Sequence, residues 1–170
     1  MQRNKIIIIT GSTASGKSTV AKLLCKEYSK CVRLDVDRVK HFVESGFKYN
    51  ETKEGKAQWY LCTKNIVLLA KNYLKNGYVV VIEGVLRNQE NWQIIFEELK
   101  PQHKFLLLAD KKYLYLRNSK RDKKFKMLKK DIDEHIKEFG HNFYHKYFTV
   151  VNNIDLEKTV DYVSKVCRKS

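Results

Sequence analysis

The residues with the clearest chemical potential lie near the start of the chain: Gly11-Ser12-Thr13-Ala14-Ser15-Gly16-Lys17-Ser18, followed by Thr19. Two glycines five apart, then a lysine and a hydroxyl, meet the spacing of a phosphate-binding loop at every fixed position. Each residue type has a physical reason to be there. Glycine permits backbone angles and close approaches that a Cβ would block. The amides of such a turn, with the positive end of the helix that follows, face anionic oxygens. Lys17 brings a cation suited to the outer phosphates of a nucleoside triphosphate, and the Ser18 hydroxyl suits Mg2+.

That chemistry needs a strand before the loop and a helix after it. Residues 5–10 form a continuous Ile-rich run, as in a parallel strand buried on both faces. Residues 17–28 set Val20, Ala21, Leu23, Leu24 and Tyr28 at helical spacing. Further strands are predicted over 31–36, 78–82, 104–108 and 147–151. Helices are predicted over 56–76, with Ala57, Tyr60, Leu61, Val67, Leu68 and Leu74 inward, over 88–99, and through a charged stretch at 111–139. Asn76-Gly77 stops one helix, and Pro101 breaks the chain before the fourth strand. A last helix is predicted with Asp155 as its N-cap and Leu156, Val160, Val163 and Cys167 on its inner stripe. Strands alternating with helices predict an α/β fold: a parallel sheet of about five strands, right-handed crossovers, and helices on both faces. Ligands in such sheets bind beyond the carboxyl ends of the strands.

The 170 residues contain no repeat, low-complexity tract or Pro/Gly-rich linker, so one domain over 1–170 is expected. No apolar run approaches the length of a membrane span. The basic start, residues 1–5, leads into an apolar run too short for a signal peptide, and the expected compartment is the cytoplasm. Four widely spaced cysteines without a CxxC pair read as free, mostly buried thiols. The net charge of +15 favours polyanions, whether ATP, a phosphorylated substrate or nucleic acid. A lysine excess spread along the chain fits a genome's base composition as well.

From the glycine loop onward the chain resembles the P-loop small-molecule kinases. That group includes shikimate and gluconate kinases, chloramphenicol phosphotransferase, zeta toxins and polynucleotide 5′-kinases. The resemblance implies a three-layer P-loop NTPase fold, MgATP as phosphate donor, and a short helical lid at about 117–130. In this group the second strand ends in an aspartate that receives the proton of the attacking hydroxyl. Within Arg33-Leu34-Asp35-Val36-Asp37-Arg38, Asp37 falls at the matching place, with Arg38 beside it on the acceptor side. Asp37 suits the cap of a helix beginning at Arg38 equally well, and both readings stay open. Asp35 alternates to the opposite strand face and is the weaker candidate.

Glu83 ends the third strand where a Walker B carboxylate sits, a candidate to hold Mg2+ through water, or an ordinary strand-end acid. Arg87 is a candidate to steer the acceptor, or a solvated arginine. Arg117 and Arg121 are four apart and would share a helical face at the start of the lid. They are candidates for the nucleotide phosphates and for charge on the transferred group, with a solvated face as the alternative. Asn152-Asn153-Ile154-Asp155 looks like a guanine motif without its lysine, but no DxxG accompanies it, which favours adenine. The five histidines are read as surface or interface residues.

The expected activity is transfer of the γ-phosphate of ATP to a hydroxyl of a small molecule or nucleotide. Two alternatives stand beside it: a polynucleotide 5′-hydroxyl kinase, and a non-catalytic nucleotide- or RNA-binding protein. Monomer and homodimer are both open, and no membrane partner is expected.

Overall fold

The structure, a computed structural model, describes residues 5–48, 52–86 and 88–169. Arg87 therefore lies outside the described residues. Five strands form one parallel sheet: β1 (Ile6–Gly11), β2 (Cys31–Asp35), β3 (Val79–Glu83), β4 (His103–Leu108) and β5 (Thr149–Asn152), in the order β2-β3-β1-β4-β5. β1 sits between β3 and β4, pairing Ile8 with Ile82 and Phe105 with Ile9.

The continuous apolar run of β1 is explained by two cores. Ile6 and Ile8 point to one face, where helices α2 (Val36–Lys40), α3 (Lys53–Lys75), α4 (Gln89–Leu99), α6 (Lys129–Phe139) and α7 (Asn142–Tyr147) contribute Val39, Trp59, Trp92, Phe139 and Phe143. Ile7 and Ile9 point to the other, against Val20, Ala21 and Leu24 of α1 (Lys17–Cys25) and Val163 and Cys167 of α8 (Leu156–Arg168). A fully buried Ile is worth roughly 1.5–3 kcal/mol. The four isoleucines of β1 thus give the loop that follows a firmly held base.

The helical periodicity of 56–76 places Val67 and Leu74 inward as found, but misplaces Ala57, Tyr60, Leu61 and Leu68. Tyr60, Leu61 and Leu68 are exposed, and Trp59, Cys62, Thr63, Ile66, Val67 and Ala70 face the core. Apolar side chains occur on both sides of this helix, so spacing alone does not fix its phase. The stretch 111–139 is broken rather than continuous. α5 (Lys111–Ser119) ends, a short 3-10 turn follows at Lys123–Phe125, and α6 begins at Lys129. Asn118 holds the break: its Nδ2 donates to Met127 O at 3.0 Å and its Oδ1 accepts from Met127 N at 3.1 Å. Asp155 caps α8 as its type predicts, accepting from Lys158 N at 3.1 Å.

Candidate active site

A pocket of about 590 Å³ opens above the carboxyl ends of β1, β2 and β3. Its floor is the loop from Gly11 to Ser18, and the fit is tightest at two glycines. A Cβ on Gly11 would lie 2.2 Å from Leu107 O, and one on Gly16 would lie 2.4 Å from Asn153 Nδ2. Both have positive φ, 146° and 93°, which L side chains rarely adopt. Ala14 is also left-handed, at φ 62°, a strain that persists only where the surroundings over-determine the backbone. Asn153 supplies part of that constraint by donating from Nδ2 to Ser15 O at 2.7 Å.

Lys17 is the first residue of α1, and its Nζ donates to Ser12 O at 2.8 Å. Burial lowers its pKa, with Arg121 adding to the effect, while Glu83, Asp37 and Asp35 pull it back up. Ser18 Oγ donates to Glu83 Oε2 at 3.0 Å, and Arg33 Nη1 donates to Glu83 Oε1 at 2.6 Å. Glu83 is 2% exposed. Its pKa is raised by burial and by Asp35, its register partner on β2, against the opposing pull of Lys17, Ser18 and Arg33.

β2 ends at Asp35, one residue earlier than the sequence pattern indicates, and α2 begins at Val36. The cap is therefore Asp35, not Asp37: Asp35 Oδ1 accepts from Asp37 N at 3.0 Å and Arg38 N at 3.3 Å. That removes capping as the job of Asp37, which stands in the first turn of α2 and lines the pocket. The strand-alternation argument for Asp35 fails with it, because alternation stops where the helix starts. Lys40, 7% exposed, donates to Asp37 Oδ1 at 2.7 Å and lies 5.3 Å from the ring centre of Trp59. Partial desolvation in the pocket works against ionisation of Asp37, but its side chain is 68% exposed, and Lys40 and then Lys17 hold the carboxyl below its ordinary value. Arg38 turns the other way; its side chain is 77% exposed and 3.6 Å from Asp35, and it does not line the pocket.

Arg117 and Arg121 both line the pocket, although only Arg117 lies on α5 and the chain has already turned at Arg121. Arg117 Nη2 donates to Asn153 O at 2.7 Å and Ile154 O at 3.2 Å. Its Nη1 is buried with no hydrogen-bond partner among the described residues, as are Ser15 Oγ and Asn153 Oδ1. Thr13 Oγ1 reaches Met127 Sδ at 2.9 Å and His135 Nδ1 at 3.0 Å, so the turn after α5 and the helix α6 lie against the loop. His135 is thereby a pocket residue, contrary to the reading of every histidine as peripheral.

A family model described as an AAA domain matches residues 7–138. The chain belongs to that AAA-domain family. A search of curated proteins finds no match. Among solved structures, a gluconokinase from Sinorhizobium meliloti 1021 is similar at 13% identity and TM-score 0.69, covering 99% of this chain and 93% of its own. The shikimate kinase from Acinetobacter baumannii, in complex with shikimate, is similar at 15% identity and TM-score 0.67, covering 99% and 95%. A chain of an RNA repair complex is similar at 18% identity and TM-score 0.63, covering 88% of this chain and 47% of its own. These likenesses establish the three-layer P-loop kinase fold.

The residues of this AAA domain fit a magnesium–nucleotide. The loop has no room for side chains at Gly11 and Gly16, and the unpartnered Nη1 of Arg117, a pocket residue, is buried beside it. Ser18 and Glu83 form an all-oxygen pair, the donor type Mg2+ takes alongside waters and phosphates. No cluster of three or more His, Cys, Asp or Glu suited to a metal occurs among the described residues, and none of their helices is long and apolar enough to cross a membrane.

Besides His135, the pocket residue Lys40 and the contact of Arg33 with Glu83 escaped the sequence reading. Lys40 could have been found, because three residues along a helix return to the same face as Asp37. Arg33 shares a strand face with Asp35, which leads to Glu83 through the register. Trp59 is legible in the sequence as one of several aromatic side chains suited to stacking or to the core, alongside Tyr60, Tyr113 and Tyr115, but its place depends on the phase of α3.

Proposed function

We propose that this AAA domain is a phosphotransferase that moves the γ-phosphate of MgATP to a hydroxyl of a small molecule or nucleotide. The observation that supports this reading is the convergence of Lys17 and Asp37 on one pocket, close enough for each charge to alter the other's titration. The loop from Gly11 to Ser18, with Thr19, receives the phosphates through backbone amides. Lys17 and Arg121 stand where negative charge accumulates on the transferred group, and the buried Nη1 of Arg117 gains an acceptor in the nucleotide. Mg2+, held by Ser18 and through water by Glu83, would neutralise charge on the phosphate oxygens.

Asp37 receives the acceptor hydroxyl. Phosphoryl transfer passes through a loose transition state, so the hydroxyl proton leaves late. A carboxylate with a depressed pKa therefore serves chiefly to orient the oxygen, and takes the proton on Oδ as the bond to phosphorus completes. Asn153 Nδ2 donates to Ser15 O, and no DxxG accompanies Asn152-Asn153-Ile154-Asp155, which supports adenine. The reading takes 1–170 as one kinase domain acting in the cytoplasm, with a lid at about 117–130.

Calorimetry with MgATP and MgGTP, joined to a phosphorylation screen over nucleosides, sugars, antibiotics and RNA 5′ ends, tests the reading. ATP should bind at least as tightly as GTP, and one hydroxyl class should accept phosphate. A strong Mg2+-dependent preference for GTP, or hydrolysis with no transfer to any class, would overturn it. The +15 charge favours RNA 5′-hydroxyl ends as a second acceptor reading. Salt-sensitive RNA retention with ATP-dependent labelling of the end would select that one.

A further inference from the structure

Two of the four cysteines, six apart in sequence and not recognisable there as a pair, meet in space. Cys25 is the last residue of α1 and Cys31 the first of β2, and their Sγ atoms are 2.6 Å apart. That is roughly half an ångström outside the ~2.05 Å of a sulfur–sulfur bond. The connecting turn is short, and both thiols are half-buried, so a small reagent reaches them. The two other cysteines differ: Cys62 and Cys167 are buried in opposite cores, and burial pushes each up to about 11. Such thiols stay protonated and react slowly.

The pair is also electronically divided. Hydrogen bonding with Cys31 lowers the pKa of Cys25, with help from Arg33 against burial, while the same bond and burial raise that of Cys31. One sulfur is thus the thiolate-prone nucleophile and its neighbour is placed to resolve.

The geometry points to Cys25 and Cys31 as a dithiol site that a low-molecular-weight disulfide of the glutathione class oxidises to an intramolecular disulfide. Cys25 thiolate attacks one sulfur of the reagent, forming a mixed disulfide and expelling one glutathione thiolate. Cys31, losing its proton, attacks Cys25 Sγ and expels the second. Two protein thiols become one disulfide, and one glutathione disulfide becomes two glutathiones. The new bond ties the end of α1 to the start of β2. Lys17 and Ser18 stand at the other end of that helix, and Asp35 at the other end of that strand. Oxidation should therefore stiffen the chain while leaving the pocket intact, independently of which phosphate acceptor the pocket takes.

The test uses the full chain incubated with glutathione disulfide, alkylated, cleaved with trypsin and mapped by mass spectrometry. Cleavage at Lys22, Lys26, Lys30 and Arg33 puts the two sulfurs on separate short peptides. The expected result is one linked peptide pair, a rise in Tm on the order of 5 °C, and unchanged MgATP affinity. Cys31→Ser should trap glutathione on Cys25, and Cys25→Ser should leave Cys31 unmodified. A lasting glutathione adduct without a link in the unaltered chain, a link through Cys62 or Cys167, no reaction at all, or a link that lowers Tm would each overturn the proposal.

Discussion

The two halves of the pocket are held in place by different means. The phosphate-loop half is a property of the backbone. Gly11 and Gly16 admit the close approach of Leu107 O and Asn153, and Ile6 to Ile9 anchor the loop from below. The acceptor half is a property of side-chain charge, in which Asp37 is held by Lys40 and Lys40 lies against Trp59. Outside Lys17 and Ser18, such a cradle would tolerate exchange of its non-glycine side chains, because backbone amides face the ligand. A charge pair changes its chemistry with either partner. On the proposed reading, the difference teaches where specificity can vary: the donor side is constrained by sterics, the acceptor side by a few exchangeable residues.

The harshest way to break this comparison is Lys17→Ala, because Lys17 is the one loop side chain that supplies formal charge. Removing one preorganised stabilising group costs about 10²- to 10³-fold, and a loss at or above the top of that range in kcat/KM is expected with the circular dichroism spectrum unchanged. Normal turnover in that variant would mean that the loop does not bind the phosphates.

Asp37→Asn should cost less. General bases contribute about 10²- to 10⁴-fold, and a carboxylate already depressed by Lys40 belongs at the low end, about 10² in kcat with MgATP affinity kept. Since Asp35 is the observed cap, near-normal activity could not be rescued by a capping argument and would move the proton-accepting role to Asp35 or Glu83.

Lys40→Met sharpens the acceptor half alone. Lys40 lowers the Asp37 pKa, so its removal raises it; activity that depends on ionised Asp37 is then lost at higher pH as the solution is acidified. The acid limb of the kcat/KM profile should move up while nucleotide affinity stays. An unmoved limb would detach Lys40 from the chemistry.

The smallest effect is expected from Asn118→Ala, which deletes two hydrogen bonds to Met127 and touches neither half directly. Leaving those backbone groups unpaired should cost about 1–3 kcal/mol of stability, read as a lower urea midpoint at constant m. A larger loss of activity than of stability would show that the lid turn belongs to the site.

The phosphate-loop half was legible in the sequence because its requirements are local. Glycine spacing, an isoleucine run and a helix start lie within one short segment, and the structure joins them as expected. Legibility failed wherever long-range packing decides. The inner face of α3 depends on which side meets the sheet, and that choice brought Trp59 rather than Tyr60 to the pocket. The end of β2 depends on register with β3, which pairs Asp35 with Glu83 and shifts the cap by two residues. Lys40 and His135 reach the pocket only through those placements. The meeting of Cys25 with Cys31 likewise needs the path of the turn between α1 and β2.

The position of β1 at the centre of the sheet, covered on both faces, has a consequence for amide hydrogen exchange. Its amides are paired to β3 and β4 and shielded by two separate cores, so no local opening exposes them. They should exchange only when the whole chain unfolds, at the slow limit set by global stability. The turn between α5 and α6, exposed over most of its length and pinned at Met127 by Asn118 and Thr13, should exchange orders of magnitude faster. The glycine loop thus follows the slowest-exchanging strand of the molecule and touches, through Thr13 and Met127, a turn that opens long before it.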